Sequence, residues 1–180
     1  MKGWQRDHKA YFAPLNLTIS FSWKPNIFTL DDRIMLDRYI RGELPHPDLV
    51  FLHKTSHDAF QRFSNYKDWD TTDYEKYING RSQQMVDAYD EVFSDVPIFW
   101  RAPFYQDQYV ADGTLNKLML QIEKATRPHL ERKNIRVLET YSILDPLRGA
   151  PKLVDILHPY IFVNYILLDA ALSTICEHIR

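Results

Sequence analysis

Three short apolar runs constrain the fold of this chain more than anything else in its sequence. Asp48 to His53, Val96 to Trp100 and Ile135 to Leu138 are each the length of one strand and are apolar almost throughout. Strands covered on both faces read this way, and they belong to parallel sheets whose crossover helices pack on the faces. The segments between them carry helix signals. Thr29 or Asp31 can cap a helix with Ile34, Met35, Tyr39 and Ile40 inside, ending near Gly42. Thr72, with Glu75 three residues on, can open a second whose inner face holds Tyr77, Met85, Tyr89, Val92 and Phe93. Asp112 can open a third, striped by Leu115, Leu118, Met119, Ile122 and Ala125 and closing near Pro128. A last apolar helix is expected from about Tyr160 to Ile179. Upstream, Leu15 to Trp23 alternates apolar and polar residues, which predicts a strand with one better-buried face, stopped by Pro25. Strand and helix alternate along the whole chain. The expected fold is a three-layer α/β/α sandwich with a mainly parallel sheet, in one domain over residues 1–180.

Composition removes several classes of function. With 45% apolar residues the chain can bury a core, and a net charge of −2 gives no general attraction to nucleic acid or an anionic membrane. No run approaches the ~20 apolar residues of a membrane span. The best stretch, Tyr160 to Ile175, is broken by Asn164, Asp169, Ser173 and Thr174. The start, Met1 to His8, is polar and has no apolar stretch of the signal-peptide kind. No feature assigns a compartment or an oligomeric state. The lone cysteine, Cys176, excludes an intrachain disulfide, and its apolar neighbours predict a buried, inert thiol.

In an open α/β sheet, ligands bind outside the carboxyl ends of the strands. Three segments should meet there. His53-Lys54-Thr55-Ser56-His57-Asp58 follows the first apolar run, and Arg101-Ala102-Pro103 follows the second. The stretch after the third leads to Asp155-Ile156-Leu157-His158, ahead of Pro159. An Asp three residues before a His can seat a catalytic pair, the carboxylate holding the imidazole's tautomer and stabilising the imidazolium. Read alone, that spacing fits a surface turn as well. His57 could equally be a satisfied polar residue at a strand end, and Arg101 a structural ion-pair partner. His53 and His57 have the i,i+4 spacing of a helical metal pair but stand at a strand end, so no metal is expected. No Gly-rich phosphate loop is present, and no cofactor is expected. Tyr66, Trp69 and Tyr74 could form a carbohydrate platform, though loop aromatics more often pack locally.

Four segments in order carry a family resemblance. They are Phe21-Ser22-Trp23-Lys24-Pro25, Pro47 to Leu52 with Thr55-Ser56-His57-Asp58, Phe99-Trp100-Arg101-Ala102-Pro103, and Asp155-x-x-His158. Together they resemble the SGNH (GDSL-type) hydrolases, and most of all their PC-esterase branch, over nearly all of the chain. The resemblance implies a serine esterase acting on O-acyl esters, with acylated sugars or glycans as the substrate class. It casts His158 as general base and acid and Asp155 as its orienting partner. Thr55, His57, Asp58 and Arg101 would lie beside the oxyanion hole and substrate. The family's Gly-Asp-Ser nucleophile block is absent from this sequence, and Thr55 stands where the family has an oxyanion-hole glycine. Ser20, Ser22 and Ser56 are poor substitutes for the nucleophile. The chain is therefore expected to lack the family's first strand and to be incomplete at its N-terminus. The alternative is a non-catalytic relative that binds rather than hydrolyses.

Overall fold

The three apolar runs do form a parallel sheet. The computed structural model describes residues 8–22, 24, 26–54, 57–59, 71–103, 114–144 and 161–179. In chain order the elements are β1 (His8–Phe12), β2 (Leu17–Phe21), α1 (Leu30–Ile40), β3 (Val50–Leu52), α2 (Thr71–Val92), β4 (Ile98–Arg101), α3 (Thr114–Arg132), β5 (Arg136–Leu138), α4 (Thr140–Leu144) and α5 (Ile161–Ile179). The sheet order is β3-β4-β5, all parallel. Its register sets Val50 beside Ile98, Leu52 beside Trp100 and Trp100 beside Val137. Those residues share one face, and α1, α2 and α3 cover it. Phe99 and Leu138 turn to the opposite face, buried but outside that cluster, and α5 packs at β5. The α/β class and parallel sheet expected from the sequence are observed.

The core stripes differ in detail from those expected. On α1 the inward residues are Asp32, Met35, Leu36 and Tyr39, while Ile34 and Ile40 are exposed. On α2 the buried line is Tyr74, Ile78, Ser82, Met85, Val86, Tyr89 and Phe93, and Tyr77 points outward. Tyr74 is therefore core, its hydroxyl donating to the Asp58 carbonyl at 3.2 Å. Tyr66 and Trp69 lie outside the described residues. The α2–α3 contact also contains a buried polar pair, Ser82 Oγ and Thr126 Oγ1 at 2.8 Å.

Two helix ends show what stops a helix. Gly42, at φ +68°, terminates α1: its N–H bonds the Tyr39 carbonyl and the next N–H bonds the Arg38 carbonyl. The same bond pattern ends α3, with Asn134 at φ 53° in the glycine's place. The expected closure at Pro128 is thus wrong, because α3 runs through that proline. Packing overrides the lost N–H. Leu130 is fully buried in the turn beyond, and Arg132 and Lys133 reach Asp87 and Asp90 on α2 at 2.6 and 2.7 Å.

Leu17–Phe21 is a strand, but it has no buried face. It pairs antiparallel with β1, a strand the sequence reading missed, and every residue of both strands is exposed. The alternation is still written on the hairpin. Ala10, Phe12, Leu17, Ile19 and Phe21 share one side, and Lys9, Tyr11, Thr18 and Ser20 the other. Cys176 is exposed on α5, which overturns the expectation of a buried thiol. Its apolar neighbours are themselves partly outside: Leu168 and Leu172 face solvent. Among the described residues no helix is long and apolar enough to cross a membrane.

The stripes give a direct test. Ile122→Ala should cost ~2–5 kcal/mol of unfolding free energy, as a cavity in a filled core does. Ile34→Ala should change it by less than about 0.5 kcal/mol. Urea titrations of the two variants measure both, and equal losses would mean that α1 presents a different face.

Candidate active site

The strand ends are stitched together at the carboxyl edge. Ala102 N–H, just past β4, bonds the Leu138 carbonyl of β5 at 3.1 Å. Thr140, buried at the start of α4, donates its hydroxyl to the Ala102 carbonyl and, at 3.1 Å, to that of Pro103. On the other side His53 Nδ1 lies 3.1 Å from the Arg101 carbonyl. A carbonyl oxygen only accepts, so Nδ1 carries the proton. Residues 57–59 are helical. His53 thus stands at this edge against Arg101, with His57 near enough to act on its charge, while Asp58 meets the Ile27 N–H and Lys54. Thr55, Asp155 and His158 lie outside the described residues.

Burial governs the electrostatics here. The His53 imidazole is held well below its ordinary value, first by burial, then by the Arg101 guanidinium and by His57. It is a neutral ring. Burial also pulls Arg101 down to about 10, which still leaves it protonated at neutral pH. Asp58 is pushed up to about 7 by burial, against the Ile27 N–H and the Lys54 ammonium, which both favour the carboxylate. Its Oδ2 is buried and has no hydrogen-bond partner among the described residues.

Sequence reasoning missed the support beneath this edge. Lys54, directly after β3, is buried and forms an ion pair with Asp32 of α1. Asp32 Oδ2 also accepts the Thr29 N–H and hydroxyl, each at 2.9 Å, and Oδ1 accepts the Tyr89 hydroxyl at 3.1 Å. Lys54 Nζ donates further to the Asn26 carbonyl at 3.4 Å. Burial lowers the lysine and Asp32 opposes that fall, while burial and then Asp32 raise the Tyr89 phenol well above its ordinary value. A signal was available: Asp32 falls on the same 3–4 spaced line as Leu36 and Tyr39, which puts a charge on an inner face.

The sequence matches no protein-family model and no curated protein. Several solved structures resemble the fold. The acetylxylan esterase Axe2 from Geobacillus stearothermophilus superposes with a TM-score of 0.66 at 16% identity, over 91% of this chain and 74% of that one. A GDSL-like lipase from Parabacteroides merdae gives 0.60 at 16% identity, over 81% and 67%. LAE5, an alpha/beta hydrolase enzyme from the Lake Arreo metagenome, gives 0.57 at 16%, over 78% and 66%. At such identity the likeness is one of fold. The chain has the fold of the SGNH (GDSL-type) hydrolases.

Asp58 makes this site's pH behaviour testable. Its carboxyl titrates near 3.8 when unfolded and about 7 when folded, so between those values the folded state holds the extra proton. The native carboxyl therefore favours folding least at high pH. Asp58→Asn should gain stability relative to the parent as pH rises from about 4 to about 7, and level off above. Urea unfolding of both proteins at steps across that range measures the difference; a flat difference would show that the buried carboxyl is an ordinary one.

Proposed function

We propose that these residues form part of a serine esterase of the SGNH class, of PC-esterase type, acting on O-acyl esters of carbohydrates. The observation that supports this reading is His53, bonded to the Arg101 carbonyl past the ends of β3 and β4 and acted on by the charges of Arg101 and His57. The sheet that positions them is shared with an acetylxylan esterase and a GDSL-like lipase.

In this reading a serine hydroxyl, from a segment outside the 180 residues, attacks the ester carbonyl as His158 takes its proton. Asp155 holds that imidazole and balances the charge it gains. The carbonyl oxygen becomes an oxyanion, met by the Thr55 backbone N–H and the His57 ring. Collapse breaks the C–O bond, the leaving alcohol takes the proton from His158, and water then hydrolyses the acyl-enzyme by the same steps in turn.

A second reading has its own observation: the sequence holds no Gly-Asp-Ser. The described serines do not replace that block. Ser82 is buried against Thr126, and Ser142 donates to the Glu139 carbonyl at 2.9 Å. On this reading the domain binds an acylated partner without turning it over.

The purified chain should hydrolyse p-nitrophenyl acetate no faster than buffer and should take no fluorophosphonate label, since losing the nucleophile costs on the order of 10⁶-fold in a serine protease. Stoichiometric labelling of any serine would overturn the external nucleophile. A form extended upstream through a Gly-Asp-Ser segment should turn over ester, and His158→Ala in that form should remove most of the rate. A folded but inert extended form would favour the binding reading.

A further inference from the structure

The least expected feature of the core is a pair of opposite charges where two aliphatic side chains would fit. Asp32 is 0% exposed on the inner face of α1, and Lys54 is 5% exposed at the end of β3. Burying such a pair adds little net stability, because desolvating both ions offsets their attraction. Well-packed apolar replacements are often equally stable. What the pair does supply is direction. Asp32 gathers Thr29, Tyr89 and Lys54 onto one carboxylate, and Lys54 reaches on to the Asn26 carbonyl. Asp58 takes the Ile27 N–H. Residues 26–32 are thereby tied at several points to Lys54 and Asp58. His53, beside Lys54, is tied the other way, to the carbonyl of Arg101 on β4.

We propose that the Asp32–Lys54 pair is a positioning device: it holds the start of α1 against the residues after β3 and so fixes where His57 stands relative to Arg101. The use of that geometry rests on the esterase reading; its existence does not. Oxyanion donors act only within about 2.7–3.1 Å of the developing charge. A site of this kind tolerates displacements of only about 0.5 Å. A three-residue strand does not reach that tolerance through backbone pairing alone. An apolar pair would fill the space yet leave residues 26–32 free to shift against it, because dispersion contacts are not directional.

The test uses the 180-residue chain and two signals that do not depend on ester turnover: hydrogen exchange of the Ile27 amide, and the ring-nitrogen chemical shifts of His57, assigned by His57→Gln. In the Asp32→Leu/Lys54→Met double variant the melting temperature should stay within about 4 °C of the parent. Ile27 exchange should nevertheless quicken at least about tenfold, and the His57 shifts should move. A folded double variant with both signals unmoved would falsify the proposal. Should that variant fail to fold, Asp32→Asn keeps the shape and one of the two acceptor oxygens, serving either Thr29 or Tyr89, while removing the charge opposite Lys54. It must move the same two signals in the same direction, and unmoved signals again overturn the proposal. Lys54→Arg in the otherwise native chain, which retains the charge pair, should keep Ile27 exchange much closer to the parent rate than either variant does. A chain inert toward esters in every form would sink the esterase reading and leave these signals standing.

Discussion

The indole N–H of Trp100 needs an acceptor in a place water does not reach. Trp100 is on the middle strand and wholly buried, and its Nε1–H donates to Glu123 of α3 at 3.1 Å. Glu123 is itself buried, and burial pushes its carboxyl up, against the pull of Trp100 and Arg127. Arg127 answers at 2.7 Å from the next turn of α3 and then reaches Glu139, past the end of β5, at 2.6 and 3.0 Å. One buried donor thus fixes the rotation of α3 over the sheet and ties the exit of β5 to the same helix. The strand's alternation does the rest: with Trp100 turned to the helices, its neighbour Arg101 must turn to the other face, at the edge where the candidate site lies.

The sheet was legible because parallel strands are buried on both sides, and Val50–Leu52, Ile98–Trp100 and Arg136–Leu138 sit inside the three apolar runs. The hairpin was half legible. Leu17, Ile19 and Phe21 alternate as a strand should, but alternation only says that two faces differ; it cannot say that the apolar one is covered. Asp32 shows the opposite failure. A charged residue in a capped helix reads as solvent-facing, and only its pairing with a lysine that follows an apolar strand, 22 residues away, makes it a core residue. Pro128 misled for a related reason. Proline removes one helical bond, and the buried Leu130 with the ion pairs to α2 outweighs it, none of which is local in sequence.

The candidate site divides along the same line. His57, Asp58 and Arg101 follow strands whose ends could be read, so chain order was enough to make them candidates for one edge. His53 was discounted as a metal ligand, and its bond to the Arg101 carbonyl depends on the register of β3 against β4, which sequence does not supply. Lys54 was passed over as an ordinary polar residue after a strand. In the structure it is the point where α1, α2 and β3 meet, through Asp32 and Tyr89.

The same edge also shows what the sheet still has to pair. Among the described residues β3 is paired on one side only, with β4. Phe51 is 40% exposed, although its register partner Phe99 is 1% exposed. Among the described residues β2 likewise pairs on one side, and Leu17 and Ile19 on its apolar face are exposed. Domains seldom leave an open strand edge and a contiguous apolar surface uncovered together. The family resemblance implies one more strand beside Val50–Leu52, the first strand, whereas Leu17–Phe21 pairs with β1 in a separate hairpin. Laid parallel to β3, such a strand would end beside His53 and Lys54, where the esterase reading needs its serine. A single segment would then supply the missing pairing, the cover for Phe51 and the nucleophile. Pairing for the edge of β3 and supply of a nucleophile are separate demands, and a strand laid there would answer the first under either reading.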